Sequence, residues 1–178
     1  MNISDFKSNF SGGVKANLYR MELSGISEKL RFLCKAAQIP GKTIGMIEVP
    51  FRGRMLKVSG DRTFEDFTVT VTNDQNFAVR NALERWHDAI SGNVSNVSER
   101  GLDSSNFSSY VANIEVQQLG RAGEVLKTYR MIGAWPTTID AIDVSYESTD
   151  TVEEFGVTFA YQWWESDTVA QPTTGGFE

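Results

Sequence analysis

Gly60-Asp61-Arg62-Thr63-Phe64-Glu65-Asp66-Phe67-Thr68-Val69-Thr70-Val71-Thr72-Asn73-Asp74 is the stretch that decides the fold class of this chain. Gly60-Asp61 suits a sharp reversal and predicts an opening turn. Phe67, Val69 and Val71 then alternate with Asp66, Thr68, Thr70 and Thr72. That period of two is a half-buried β-strand with one dry face and one wet face. Asn73-Asp74 ends the strand and can cap a helix. Backbone geometry and packing explain every residue of the run, and none is required by catalysis. The wet face consists of hydroxyls, which suits a sheet lining an aqueous space.

Upstream, Thr43 to Ser59 is unlike ordinary core. Ile44, Met46, Ile47, Val49, Phe51, Met55, Leu56 and Val58 are interrupted by Arg52-Gly53-Arg54, which predicts two strands around a glycine turn. Apolar side chains fall on both faces of this hairpin. A two-stranded ribbon is marginal alone in water and an exposed apolar one aggregates, so either the parent domain or another subunit must cover it. Pro50 lacks a ladder donor and marks an edge or a bulge. Arg52, Arg54 and Lys57 cluster at the tip, as a solvated turn or as the contact for an acidic partner on a neighbouring subunit. Further upstream, residues 1–15 are polar with Ser11-Gly12-Gly13 and read as a flexible arm. Asn17 to Leu23 alternates, with Tyr19, Met21 and Leu23 on one face. A turn at Ser24-Gly25 predicts a hairpin with a second strand near Lys29–Ala36, closed by Ile39-Pro40-Gly41.

Downstream, the spacing of Val79, Leu83, Trp86 and Ile90 predicts one apolar stripe on a helix over Asn76–Ser91, with Arg80, Glu84, Arg85 and Asp88 opposite and Gly92 to end it. Residues 91–109 are rich in Ser, Asn and Gly and predict a loop. Ala112, Ile114 and Val116 then alternate with polar residues, Gly120 and Gly123 mark a turn, and Val125 to Trp135 returns until Pro136 stops it. Ile139 to Ser145 predicts another strand. Glu154 to Trp164 predicts a last one, with Phe155, Val157, Phe159, Tyr161 and Trp163 on one face. Residues 166–178 read as a flexible tail. The sum is mainly β: an antiparallel sandwich or barrel with one flanking helix and a long protruding hairpin.

A length of 178 residues argues for one domain, with 16–165 as its body, and the net charge is −6. Tight binding to nucleic acid needs a basic surface, so an acidic chain lets DNA pass without holding it. Cys34 stands alone, so no internal disulfide forms, and it reads as a small core hydrophobe in a reduced environment. No apolar run approaches the roughly 20 residues that span a bilayer, and Met1–Phe6 has no signal-peptide pattern, so no membrane anchor is expected. His87 has no partner histidine for a metal, and the nucleophile-elbow and phosphate-loop motifs are missing. Glu153 and Glu154 are adjacent on a strand, so they face opposite sides and cannot work as a pair. The expectation is no catalytic, cofactor or metal site.

The Gly60–Asp74 string, the helix carrying Trp86, the step Gly133-Ala134-Trp135-Pro136-Thr137 and the closing strand to Glu165 occur in one order. Together they resemble the tail tube protein of contractile-tailed (T4-like) bacteriophages, over roughly residues 15–165. The resemblance implies hexameric rings, each subunit donating four strands to a continuous inner barrel. It implies rings stacked into a tube inside a contractile sheath, driven through the host envelope and conducting viral DNA. Its implied partners are further copies of the chain, the tail sheath protein, and baseplate and tube-terminator proteins, with assembly in the host bacterial cytoplasm. The hairpin 43–59 then becomes the subunit interface, carried by Met46, Ile47, Val49, Phe51, Arg52, Arg54, Met55, Leu56 and Lys57.

Strands about 4.8 Å apart and tilted about 40° take about 6.3 Å each around a circumference. Twenty-four of them enclose a backbone diameter of roughly 48 Å and a clear bore of roughly 38 Å, wide enough for B-DNA at roughly 20 Å. A polar, neutral-to-negative lumen is expected, because a ring of arginines would brake the phosphates. A tube initiator, baseplate or secretion-system tube protein of the same fold is the alternative. From another class, an all-β carbohydrate-binding module would use Trp163 or Trp164, although Trp163 continues an apolar face and reads as core or interface.

Overall fold

Alternation of apolar and polar residues organises the described residues into nine strands. A computed structural model describes residues 2–3, 13–24, 33–92 and 110–167. The strands are β1 (Tyr19–Leu23), β2 (Cys34–Ala37), β3 (Lys42–Phe51), β4 (Arg54–Phe64), β5 (Phe67–Thr72), β6 (Ala112–Leu119), β7 (Val125–Ile139), β8 (Glu154–Ala160) and β9 (Trp163–Ser166). Helix α1 spans Ala78–Ile90 between β5 and β6. The expected arm, the loop 91–109 and the tail 166–178 lie largely outside the described residues.

The main sheet is antiparallel, in the order β1-β6-β7-β8-β5-β2, with β9 added to β7; β3 and β4 pair only with each other. Strand β7 belongs to both halves of this sheet. Its first part pairs with β6 and β9, and its last part, from Trp135, pairs with β8. Gly133, at φ 66°, stands at the change of partner, where the β6 register shifts and its N–H meets the Asn113 side chain. The sheet folds there into two layers. Met21, Ile114, Val116 and Met131 from one layer meet Phe67, Val69, Val71, Phe155, Val157 and Phe159 from the other, all buried. The ends of the path also approach, since the Tyr19 hydroxyl of β1 donates to the Cys34 carbonyl of β2 at 3.1 Å.

Helix α1 lays Val79 and Leu83 into the core, with Trp86 against Phe159 at 6.1 Å between rings. The Trp86 indole N–H donates to the Tyr110 carbonyl. Asp74 serves the helix start, its carboxylate accepting from the Ala78 N–H at 2.8 Å. The helix is shorter than expected at both ends: Phe77 precedes it in the left-handed region and Ser91 caps it, one residue before Gly92.

Several expectations are corrected. Gly60-Asp61 is not a turn; both residues lie inside β4, where the register against β3 shifts. A Cβ on Gly60 would stand 3.2 Å from the Gly45 backbone, so glycine there permits close approach of two strands at a bulge. The break between β4 and β5 falls at Glu65-Asp66 instead. The hairpin is accordingly longer than 43–59, running from Lys42 to Phe64. Strands β1 and β2 do not pair with each other; they take β6 and β5 as partners, at opposite ends of the path. Pro136 does not stop β7, because a register shift against β8 accommodates the missing donor and the strand runs on to Ile139. Residues 141–145 form no strand: Ile142 packs against the core, but Val144 is exposed and the segment pairs with no strand. Finally, 154–164 is two strands: the Gln162 N–H reaches back to Ile132, β9 joins β7, and Trp163 leaves the core face and is 46% exposed.

Candidate assembly surface

Hairpin β3–β4 is where the chain spends apolar residues without burying them. Its two-residue turn is Arg52-Gly53, both with positive φ (44° and 79°), the combination a type I′ turn requires. Glycine adopts this freely, whereas an arginine does so at a cost of about 1–2 kcal/mol. The register opposes Phe51 to Arg54, Val49 to Leu56 and Ile47 to Val58; between these lie Pro50 opposite Met55, Glu48 opposite Lys57 and Met46 opposite Ser59. Directly opposed residues share a face. One face therefore carries Ile47, Val49, Phe51, Leu56 and Val58, with Arg54 at its tip. The other mixes Met46, Pro50 and Met55 with the Glu48–Lys57 ion pair at 3.9 Å. Pro50 sits at a non-hydrogen-bonded position two residues from the turn, where an N–H would point away from the partner strand, so its missing donor costs the ladder nothing.

The sequence places Met46, Ile47, Val49, Phe51, Arg52, Arg54, Met55, Leu56 and Lys57 here, and all nine are exposed on this one element. Phe51 is 68% and Leu56 60% accessible. Val58 and Ile44 are also exposed and extend the apolar stretch toward the root; strand parity outward from Gly53 finds Val58, whereas Ile44 lies beyond the register shift. The root is anchored by Lys42 over the Trp164 ring at 4.4 Å, by Phe64 against Tyr161, and by the Tyr161 hydroxyl donating to the Glu65 carbonyl at 2.6 Å. Burial, with Asp66 and Glu65 nearby, pushes the Tyr161 phenol up to about 12.

Glu153, Glu154 and the Cys34 thiol are tied into structure. Glu153 accepts from Asn73 and Glu154 from Lys35, on separate partners. Burial raises the Cys34 thiol, against the lowering by its Tyr19 hydrogen bond, which keeps it protonated. Among the described residues no three His, Cys, Asp or Glu side chains converge as a metal site would need. The hydroxyl face of β5 and β8 is wet, with Thr68 and Thr158 3.5 Å apart across the strands.

The family model for phage tail tube proteins matches residues 2–167. The chain belongs to the phage tail tube protein family. It is 30% identical over 168 residues to the tail tube protein of Enterobacteria phage T4, covering 93% of this chain and 100% of that relative. The tail tube protein of Serratia phage KSP90 is 28% identical over 170 residues, 89% of this chain and 93% of its own. The fold recurs in an extracellular contractile injection system, in a chain of its extended sheath–tube complex, with TM-score 0.65 at 13% identity over 93% and 97% of the two chains. It recurs also in the tube-terminating cap of the anti-feeding prophage, with TM-score 0.68 at 16% identity over 93% and 98%. As a member of the tail tube family, the chain is a structural subunit of a phage tail tube and a component of the virion tail.

Proposed function

We propose that this subunit closes into hexameric rings, that the rings stack into a hollow tube inside a contractile sheath, and that the tube penetrates the host envelope and conducts viral DNA. The observation that carries this is the uncovered hairpin β3–β4. Five apolar side chains on one face of a ribbon paired only with itself are stable in water when another surface covers them. Other copies of the chain supply that surface, and Met46, Ile47, Val49, Phe51, Arg52, Arg54, Met55, Leu56 and Lys57 form the contact. Neighbours of the same fold occur in assemblies with a sheath, a baseplate and a tube terminator, which supports equivalent partners here. The role is mechanical rather than enzymatic, and Glu153, Glu154 and Cys34 are all engaged in structural contacts.

The wall of the bore is polar and neutral-to-negative, so that phosphates slide past it. Electron microscopy of the purified protein tests the assembly, rings or hollow filaments being the expected sight. A cryo-EM map of the tube tests the bore, and a net basic lumen would refute that part.

A further inference from the structure

The hairpin and the segment between β7 and β8 are opposite in charge and alike in being apolar and exposed. Residues 42–64 carry five cations and two carboxylates, a net +3 within a chain of net −6. Residues 140–154 carry six carboxylates and no lysine or arginine. Asp143, Glu147 and Asp150 of that segment have no cationic partner among the described residues. Interspersed with them, Val144, Tyr146 and Val152 stand out from the surface, Tyr146 fully exposed. A half-open depression of about 290 Å³ lies there, lined in part by Asp143, Val144, Val152 and Glu153.

Position matters as much as charge. Strand β5 runs from Phe67, opposite Phe159 beside the hairpin root, to Thr72, opposite Glu154 where the acidic segment ends. The hairpin root and the acidic segment therefore lie toward opposite ends of one sheet, about 17 Å apart along the strand. Within one copy, no hydrogen bond or ion pair among the described residues joins them. Two copies can join them, head to tail, and such a contact leaves a free hairpin at one end and a free acidic segment at the other, which generates a ring or a stack.

We propose that the basic hairpin tip of one copy docks on the acidic segment 140–154 of the next. Arg52 and Arg54 face Asp143 and Glu147, while Phe51 and Leu56 cover Val144 and Tyr146. This rests on the assembly reading above and names the partner surface within it. Two observations favour this surface. A second depression, at the β6–β7 turn, presents Lys15 and Arg121 beside Glu124 and would repel the tip. Arg52 also keeps a cation in a left-handed turn position that glycine or asparagine would occupy without strain.

Charge reversal tests it, using the full chain. The variants are R52E/R54E at the tip, D143K/E147K in the segment, and all four changes together. Tube and ring formation is followed by sedimentation and negative-stain microscopy, with circular dichroism to confirm folding. Each double variant should raise the concentration needed for assembly about tenfold or more, and the fourfold variant should return it to within about threefold of wild type. Wild-type assembly should weaken as salt rises from 0.05 to about 0.5 M. Normal assembly by D143K/E147K, or a fourfold variant as impaired as the tip variant, overturns the docking while leaving the hairpin an interface. A wild-type chain that never assembles overturns the tube reading and this inference with it.

Discussion

Replacing Phe51 and Leu56 by aspartate separates folding from assembly. Both side chains lie on the dry face of β3–β4, 68% and 60% exposed in the isolated subunit. Exposed sites cost little on substitution, within about 0.5 kcal/mol each, so the melting temperature should move by no more than about 4 °C. In the proposed tube contact the same positions become covered. Complete burial of a Phe or Leu side chain contributes about 1.5–3 kcal/mol, and the two-thirds still exposed here leaves about 1–2 kcal/mol per side chain to be gained on contact. Losing both removes about 3 kcal/mol, roughly a hundredfold in association constant. The desolvation of two carboxylates adds to that loss in the same direction. The assay pairs thermal melting of the variant with analytical ultracentrifugation and electron microscopy at concentrations where wild type forms tubes. Tubes of normal length and abundance from F51D/L56D would show that this face is not an interface. A variant that fails to melt cooperatively would show instead that the hairpin belongs to the core.

The remaining predictions concern the body of the subunit. Leu83→Ala, at a wholly buried helix position, should cost about 2–5 kcal/mol and lower the melting temperature by roughly 10 °C, read by calorimetry. Gly133→Ala forces a Cβ into φ 66° at the bend of β7 and should destabilise by about 1–2 kcal/mol in denaturant titration, whereas Gly92→Ala should be near neutral. Tyr19 and Tyr161 both have phenols pushed up to about 12, chiefly by burial. Between about pH 10 and 12 the folded chain holds protons that the unfolded chain has released, so stability should be steady below pH 10 and fall above it. Tyr161→Phe should flatten part of that fall, which a melting series across pH would detect.

Elements set by local periodicity are legible in the chain. Strand β5, strand β6, strand β8 and helix α1 follow from residues that are neighbours in sequence, because a side chain's direction is fixed by its own backbone period. The candidate surface is legible for the same reason: nine residues between Met46 and Lys57 stand together because one hairpin carries them. Glycine and proline are read less well. Gly60 and Pro136 carry the signals of a turn and a stop, yet both serve bulges inside longer strands. The residues are permissive rather than directive, and the partner strand decides which use is made of them.

By itself the sequence determined that this protein is mainly β, with a core on one side of each strand, a hydroxyl-bearing wet face, and a hairpin too apolar to stand alone. Only the tertiary structure decided which strands pair. It took β1 and β2 apart, carried β7 from one layer to the other, turned Trp163 out of the core, and put the root of the basic hairpin and the acidic segment toward opposite ends of one sheet. The physical reason is range: alternation is a property of consecutive residues, whereas pairing and placement depend on contacts between residues far apart in the chain, chosen by packing the whole core at once.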